Sequence, residues 1–134
     1  MNNFEAWIGK KEVYHDVCND KPIGMMQALL NQYGQPIDEL PLLFHWLYFL
    51  PVVNQSELAE DGHPHKGSFL PPIPFPKRMW AGGRLKFHSP IRVNQQLRRE
   101  SEILNVEFKQ GRSGDLYFVT VQHSIYAEDV LAIV

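Results

Sequence analysis

The densest group of chemistry-bearing residues surrounds Asp61. Asp61 and His63 stand two residues apart in the sequence DGHPH, where glycine and proline disfavour regular helix and strand. A carboxylate and an imidazole held together can activate a water molecule and move a proton. The same two residues can instead form a turn in which the aspartate accepts a backbone hydrogen bond. Both interpretations stay open at the level of sequence.

A metal site at this segment is not expected. Asp61, His63 and His65 offer possible ligands, but their spacing is not a zinc signature. Cys18 is the only cysteine, so no cysteine pair supports such a site and no internal disulfide can form. We predict no metal and no cofactor.

Composition bounds the class of protein. The 134 residues are 44% hydrophobic and 21% charged, which is typical of a soluble globular protein. The formal net charge of −2 lacks the basic excess that nucleic acid binding needs, so no nucleic acid partner is expected. A lone cysteine fits a reducing compartment.

No segment predicts a membrane span or a secretion signal. The longest apolar run, residues 40–53, contains His45 and is shorter than the roughly 20 residues needed to cross a bilayer. The N-terminal sequence MNNFEAWIGKKE lacks the apolar core of a signal peptide. We therefore expect no membrane partner and a cytoplasmic location.

The first half of the chain predicts one strand and one helix. A strand is expected from Trp7 to Cys18, and Asn19 or Asp20 suits the N-cap of a helix that begins near Pro22. Gly34 suits the position after that helix. Residues 40–50 repeat helical spacing, but this segment is short, and helix or strand both stay open.

The second half predicts β-structure. Apolar residues alternate with polar ones over 85–88, 104–109 and 117–125. Gly111 and Gly114 lie between the last two runs, in a turn predicted for residues 110–115 that would close a hairpin. The order of elements predicts an α+β fold with an antiparallel sheet curved around a helix.

Five ordered motifs resemble a known family. The sequence is similar to the N-terminal half of the FAS1-like dehydratases, which include mesaconyl-CoA (itaconyl-CoA) hydratases and mitochondrial-type 3-hydroxyacyl-thioester dehydratases of the MaoC-like superfamily. The resemblance covers most of the chain, from about Trp7 to His123. It rests on these segments: WLYF (46–49), DGHP (61–64), GSFLPP (67–72), PKRMWAGGRL (76–85) and KQGRSGDLYFVTVQH (109–123).

The resemblance implies a hot-dog fold, an antiparallel sheet wrapped around a central helix, as one MaoC-like N-terminal domain over residues 1–134. Whether its last strand is complete or truncated stays open. The implied substrate is a thioester of coenzyme A or acyl carrier protein, and the implied reaction is reversible addition of water across a 2,3-double bond, a step of fatty acid metabolism. Because the open sheet edge of a hot-dog invites pairing, a dimer with a second hot-dog domain is expected.

The resemblance also implies that this is the non-catalytic, substrate-accommodating half of a hydratase. The family's catalytic histidine and aspartate belong to a His-Tyr-Asp motif in the second repeat, and no such motif occurs here. The adjacent His15 and Asp16 lie in a predicted strand and a different context. Two alternatives stay open: an inert acyl-CoA-binding homodimer, and a self-sufficient hydratase or thioesterase that uses Asp61 and His63.

A second segment supplies candidates for substrate contact. A guanidinium matches phosphate geometry, an indole can line an acyl pocket, and glycines allow a ligand close to the backbone. Trp80 and the neighbouring Met79 can equally be core residues, the two glycines can form a bulge, and His123 is expected as a core histidine. Lys77, Arg84, Arg98 and Arg99 are weaker phosphate candidates. The candidate substrate-binding residues are Arg78, Trp80, Gly82 and Gly83.

Overall fold

Four strands and one α-helix, with three short 3-10 helices, make up the regular structure of the residues described below. A computed structural model describes residues 3–134, and within that range the sheet has the order β1-β2-β3-β4 with antiparallel neighbours. This arrangement confirms the predicted α+β hot-dog fold. The elements are β1 (Lys11–Val17), α1 (Asp20–Leu29), β2 (Gln96–Gly111), β3 (Gly114–Ala127) and β4 (Val130–Ile133).

The β2–β3 hairpin follows directly from the sequence. The alternating runs form the two longest strands, and the turn between them occupies Arg112 and Ser113, inside the predicted segment. Gly114 has φ +128°, a backbone conformation that residues with a side chain rarely adopt. The predicted hairpin is confirmed.

A second, unpredicted hairpin joins β3 to β4. Ala127 pairs with Val130, and the two loop residues Glu128 and Asp129 have φ values of 49° and 63°. Two left-handed residues in succession match the twist of a tight hairpin, although glycine or asparagine normally fills these positions. The side chain of Asp129 is paired with Arg98, which holds the turn.

The chain divides into two compact units of interleaved segments. The first comprises residues 1–12, 51–84 and 101–122, of which residues 3–12 are described at its N-terminal end, and the second comprises residues 13–50, 85–100 and 123–134. The long strands β2 and β3 contribute residues to both units. The prediction of one domain over residues 1–134 stays a prediction.

Aromatic packing organises the first unit. The ring of Tyr117 lies 5.3 Å from Phe4, 5.5 Å from Phe75 and 5.1 Å from Phe108 between centroids, distances at which aromatic pairs attract. Ile103 on β2 is fully buried, and its backbone bonds to Gly9 and Lys10. The 51–84 segment has little regular structure, and hydrogen bonds within it include those from the side chains of Lys66 and Arg78 to the carbonyls of Phe75 and Pro64.

A contiguous apolar core organises the second unit. Cys18 is fully buried, and this burial is the largest cause of its raised pKa. Tyr48 donates its hydroxyl proton to the Asn19 carbonyl at 2.6 Å and closes one side of this core. Its buried members are Cys18, Tyr48, Phe49, Ile91, Leu97, Ile125, Ala127, Ala132 and Ile133.

Two boundaries in the first half differ from the prediction. The first strand begins at Lys11 rather than Trp7, because residues 5–7 form a 3-10 turn and Gly9 has φ +89°. Asn19 is the N-cap of α1, as expected, and accepts a hydrogen bond from the Lys21 N–H. The helix ends at Leu29 with Leu30 as its C-cap, so the position after the cap that was predicted for Gly34 is taken by the left-handed Asn31.

Two further segments lack the expected regular structure. Within residues 40–50 only Phe44–Leu47 is helical, as a 3-10 turn that follows the left-handed Leu43. The strand predicted around Leu85 and Phe87 is reduced to one antiparallel bridge, from Phe87 to Ile133. Backbone hydrogen bonds flank this bridge in both directions between Lys86 and Val134, and from the His88 N–H to the Ala132 carbonyl. In the part of the chain that the structure describes, no helix is long and apolar enough to cross a membrane.

Candidate functional site

Asp61 stabilises its own loop through a hydrogen bond and an ion pair. Its Oδ1 accepts a hydrogen bond from the backbone N–H of His63 at 3.0 Å. Its Oδ2 lies 3.0 Å from Nε of Arg78. The His63 N–H is the largest cause of a lowered pKa for Asp61, opposed by desolvation and aided by Arg78. The carboxylate is therefore ionised and engaged at neutral pH.

Arg78 contacts the same loop at two points. The Nε proton does not point at Asp61, so this contact is an ion pair without a well-formed hydrogen bond. The Nη2 atom of Arg78 donates to the Pro64 carbonyl at 2.9 Å. Arg78 thus joins the DGHP and PKRMW motifs within the first unit. Asp61 and His63, predicted from one motif, thus lie together with Arg78, predicted from another.

The contact between Asp61 and His63 uses the backbone of His63. The short side chain of an aspartate commonly accepts a hydrogen bond from the backbone N–H two residues later and so stabilises a turn. This geometry stabilises the loop and does not by itself orient an imidazole for proton transfer. Among residues 3–134 no group of histidine, cysteine or acidic side chains could hold a metal ion.

Trp80 and Met79 are surface residues. Their exposures of 79% and 89% show that the interpretation of this pair as core residues is wrong. The indole of Trp80 lies over Gly83, where an added Cβ would be 3.5 Å from Cζ2. Gly82 has open space on its side-chain face. A role of Arg78, Trp80, Gly82 and Gly83 in substrate binding stays a prediction.

A different set of groups meets in the second unit and was not predicted from the sequence as a site. We call His45, Arg99 and His123 the basic cluster. His45 is only 4% exposed, and its Nδ1 atom is buried without a hydrogen-bond partner. Burial lowers the pKa of His45, so the imidazole is neutral at neutral pH.

Arg99 contacts two aromatic rings. Its guanidinium carbon lies 5.1 Å from the ring centroid of Tyr14 and 5.3 Å from that of Phe49. Contacts of this kind attract a cation to the faces of the rings and restrict the plane of the guanidinium. The arginine is therefore positioned more firmly than a surface side chain.

His123 is not the core histidine that its strand pattern predicted. It lies on the accessible surface. Its pKa is nevertheless lowered, first by desolvation and then by the charges of Arg99 and His45. A side chain that is both accessible and crowded by protein atoms lies in a recessed part of the surface.

Asp16 stabilises the backbone at Phe49, the residue whose ring contacts Arg99. Its Oδ2 accepts the backbone N–H of Phe49 at 2.8 Å. Phe49 has φ 58°, a left-handed conformation that a bulky residue rarely adopts. Asp16 was noted in the sequence only for its adjacency to His15. No local pattern could have indicated a bond to a residue 33 positions away.

A cleft of about 280 Å³ lies elsewhere in the second unit. Its lining includes the buried Ile91 and Ile133 and the partly exposed Phe87. The Phe87 ring lies 6.3 Å from that of His45, edge to face. The volume is at the lower limit for ligand pockets.

Comparison with known proteins agrees with this fold. The profile of the hydroxyacyl-thioester dehydratase type 2 family matches residues 43–133, and the chain belongs to that family. The chain is 49% identical over 131 residues to the mesaconyl-C(4)-CoA hydratase of Chloroflexus aurantiacus, covering 96% of this chain and 47% of the relative. The family resemblance drawn from the motifs is confirmed.

A second relative is more distant. The mitochondrial hydroxyacyl-thioester dehydratase type 2 of Schizosaccharomyces pombe is 29% identical over 98 residues, which cover 66% of this chain and 33% of that protein. The chain thus spans about half the length of one curated relative and a third of the other.

Proposed function

We propose that this chain is the substrate-accommodating half of a 2-enoyl-thioester hydratase or 3-hydroxyacyl-thioester dehydratase. The observation that carries the proposal is the match of 96% of the chain to 47% of a mesaconyl-C(4)-CoA hydratase. The substrate is an acyl thioester of coenzyme A or acyl carrier protein. A second hot-dog domain supplies the catalytic histidine and aspartate, because the 134 residues contain no His-Tyr-Asp segment.

Two structural features support the proposal that this chain accommodates the substrate and a second domain supplies the catalytic residues. Asp61 and His63, the local candidates for catalysis, make a loop-stabilising contact through the His63 backbone. The first unit also exposes large apolar residues, among them Val52, Met79 and Trp80. Exposed apolar surface of this kind is typical of a face that a partner covers. That partner would be the second hot-dog domain.

Complementation tests the proposal. The chain and the unmatched portion of the Chloroflexus relative are produced separately, and hydration of a 2-enoyl-CoA is followed by loss of its conjugated absorbance. We expect activity only in the mixture, with a complex detected by size-exclusion chromatography. Turnover by the chain alone, abolished by Asp61→Asn, would overturn the proposal in favour of a self-sufficient enzyme. A folded homodimer that binds thioester but ignores the other portion would favour an inert binding protein.

A further inference from the structure

Residues 41–47 form a segment, here called the strap, that is anchored by hydrogen bonds on either side. Before the strap, the Leu40 N–H donates to the Ile91 carbonyl at 2.7 Å. After it, Tyr48 donates its hydroxyl proton to the Asn19 carbonyl at 2.6 Å. Within the described residues, the backbone hydrogen bonds of the strap itself join only residues close in the chain. The position of the strap between its anchors therefore depends on side-chain packing.

The side chain that packs the strap onto the protein is a titratable one. Within this fully described strap only His45 is buried, whereas Leu42, Leu43 and Trp46 are between 44% and 67% exposed. The His45 ring lies 6.3 Å from that of Phe87, edge to face, and its buried Nδ1 has no hydrogen-bond partner. A buried polar atom without a partner is rare in a folded chain. The strap thus buries a polar ring and exposes large apolar side chains.

The backbone around His45 is held in conformations that bulky residues rarely adopt. Leu43 and Phe49 have φ values of 72° and 58°, and the four other described non-glycine residues with positive φ are all polar. The Asp16 carboxylate holds Phe49 through its N–H at 2.8 Å. Leu43 has no hydrogen bond to another segment in the described structure. Since strain of this kind gathers at switch regions, Leu43 is the hinge at which the strap relaxes.

We propose that the strap is a pH-sensitive lid, closed against Phe87 while His45 is neutral and released when His45 gains a proton. Pro41 and Leu42 line the cleft of about 280 Å³ together with Phe87, so release of the strap widens this cleft and uncovers the Phe87 ring. The inference goes beyond the proposed function and does not rest on it.

The surroundings of His45 determine the direction of the pH response. Burial lowers the pKa of His45, and one carboxylate among three permanent cations gives its imidazolium no compensating partner. A released histidine has the ordinary pKa of about 6.5. The closed form is therefore favoured above this pH, and each pH unit below it shifts the equilibrium about tenfold toward release, down to the pKa of the closed form. The charged and titratable groups on the surrounding elements are Asp20, Lys21, Lys86, His88, Arg99 and His123.

Trp46 reports the state of the strap, because its ring lies 5.5 Å from that of His45 and an imidazolium quenches indole fluorescence. Trp7→Phe and Trp80→Phe, both in the first unit, leave Trp46 as the single tryptophan of the full chain. We expect its emission to change with a midpoint between about pH 6.5 and 5, at constant far-UV circular dichroism. In the unmodified chain, hydrogen–deuterium exchange corrected for intrinsic rates should accelerate over the same range in residues 41–47 and not in β3.

Variants assign the response to residues. His45→Phe keeps a ring beside Phe87 and has no titratable group, so it should abolish both changes, and His45→Leu substitutes if that variant does not fold. His88→Phe is the matched control, because His88 is exposed and adjacent to Phe87, and it should leave the midpoint unchanged. Leu43→Gly should lower the midpoint by about 0.5–1 pH unit, because glycine takes the left-handed conformation without strain and so stabilises the closed form.

Three results would overturn the inference. Constant exchange in residues 41–47 from about pH 8 to about 5, with or without a change in Trp46 emission, would show that the strap stays closed when His45 titrates. A transition that persists in His45→Phe would belong to another group. Loss of far-UV circular dichroism together with the change in emission would mean that the whole chain unfolds, without local release of the strap.

Discussion

Replacing Asp16 by alanine should destabilise the chain far more than its position in a short strand suggests. The substitution removes the acceptor for the Phe49 N–H at 2.8 Å and for the adjacent Val17 N–H at 2.7 Å. The bond to Phe49 joins two distant segments and involves a charged acceptor, which contributes about 1.5–3 kcal/mol. The local bond to Val17 adds little, because it forms within one residue.

We expect a loss of about 2–3 kcal/mol in the free energy of unfolding for Asp16→Ala. Asp16→Asn keeps one acceptor oxygen and should lose about half of that. Urea denaturation followed by circular dichroism measures both, and the midpoint of Asp16→Ala should fall by about 1 M for a chain of this size. Asp115→Ala, at an exposed position of the β2–β3 hairpin, is the control and should stay within about 0.5 kcal/mol.

A midpoint for Asp16→Ala that matches the Asp115→Ala control would refute this reasoning. It would mean that the left-handed backbone at Phe49 is held by side-chain packing alone. In that case Asp16 would not be the residue that positions Phe49 against Arg99.

Three further predictions concern single side chains. Ile103→Ala should lower the free energy of unfolding, measured by urea denaturation, by about 2–4 kcal/mol because Ile103 is fully buried. Leu104→Ala, at a position 45% exposed, should lower it by less than about 1 kcal/mol. Equal losses would contradict the described burial. Folding lowers the pKa of Asp61, so the stability that its carboxylate contributes is present above the unfolded pKa of ~3.9 and is lost as the pH falls through the folded pKa. Asp61→Asn should therefore reduce the fall of the melting temperature between pH 5 and 2. An unchanged fall would argue against the contact. Cys18, buried with a raised pKa, should react with a thiol reagent only after urea unfolding, and fast labelling of the native chain would show that the core opens.

The sequence predicted the parts of the fold that depend on local patterns. The alternation in β2 and β3 and the glycines beside their turn are short-range signals, and the hairpin forms where they lie. The Asn19 cap is likewise a local signal. The segment around Phe44 was ambiguous because it is too short for its apolar spacing to distinguish a helix from a strand. In the structure it is one 3-10 turn between the left-handed Leu43 and the extended Tyr48.

The two groups of candidate site residues also differ in whether a local sequence pattern indicated them. Asp61, His63 and Arg78 were found because each lies in a dense motif, although the sequence could not distinguish a loop contact from catalysis. The basic cluster had no such signal, because His45, Arg99 and His123 come from three distant segments that only the tertiary fold brings together. A lone histidine within the apolar run LPLLFHWLYFL was the one local sign of it.

The central claim is that this chain holds an acyl thioester without converting it. The most direct measurement combines binding and turnover of the purified chain on a panel of short and branched 2-enoyl-CoA thioesters. We predict saturable binding that exceeds that of free coenzyme A, with no hydration above background. Hydration by the chain alone would place the catalytic groups within these residues, and a folded chain that binds no thioester would contradict the account altogether.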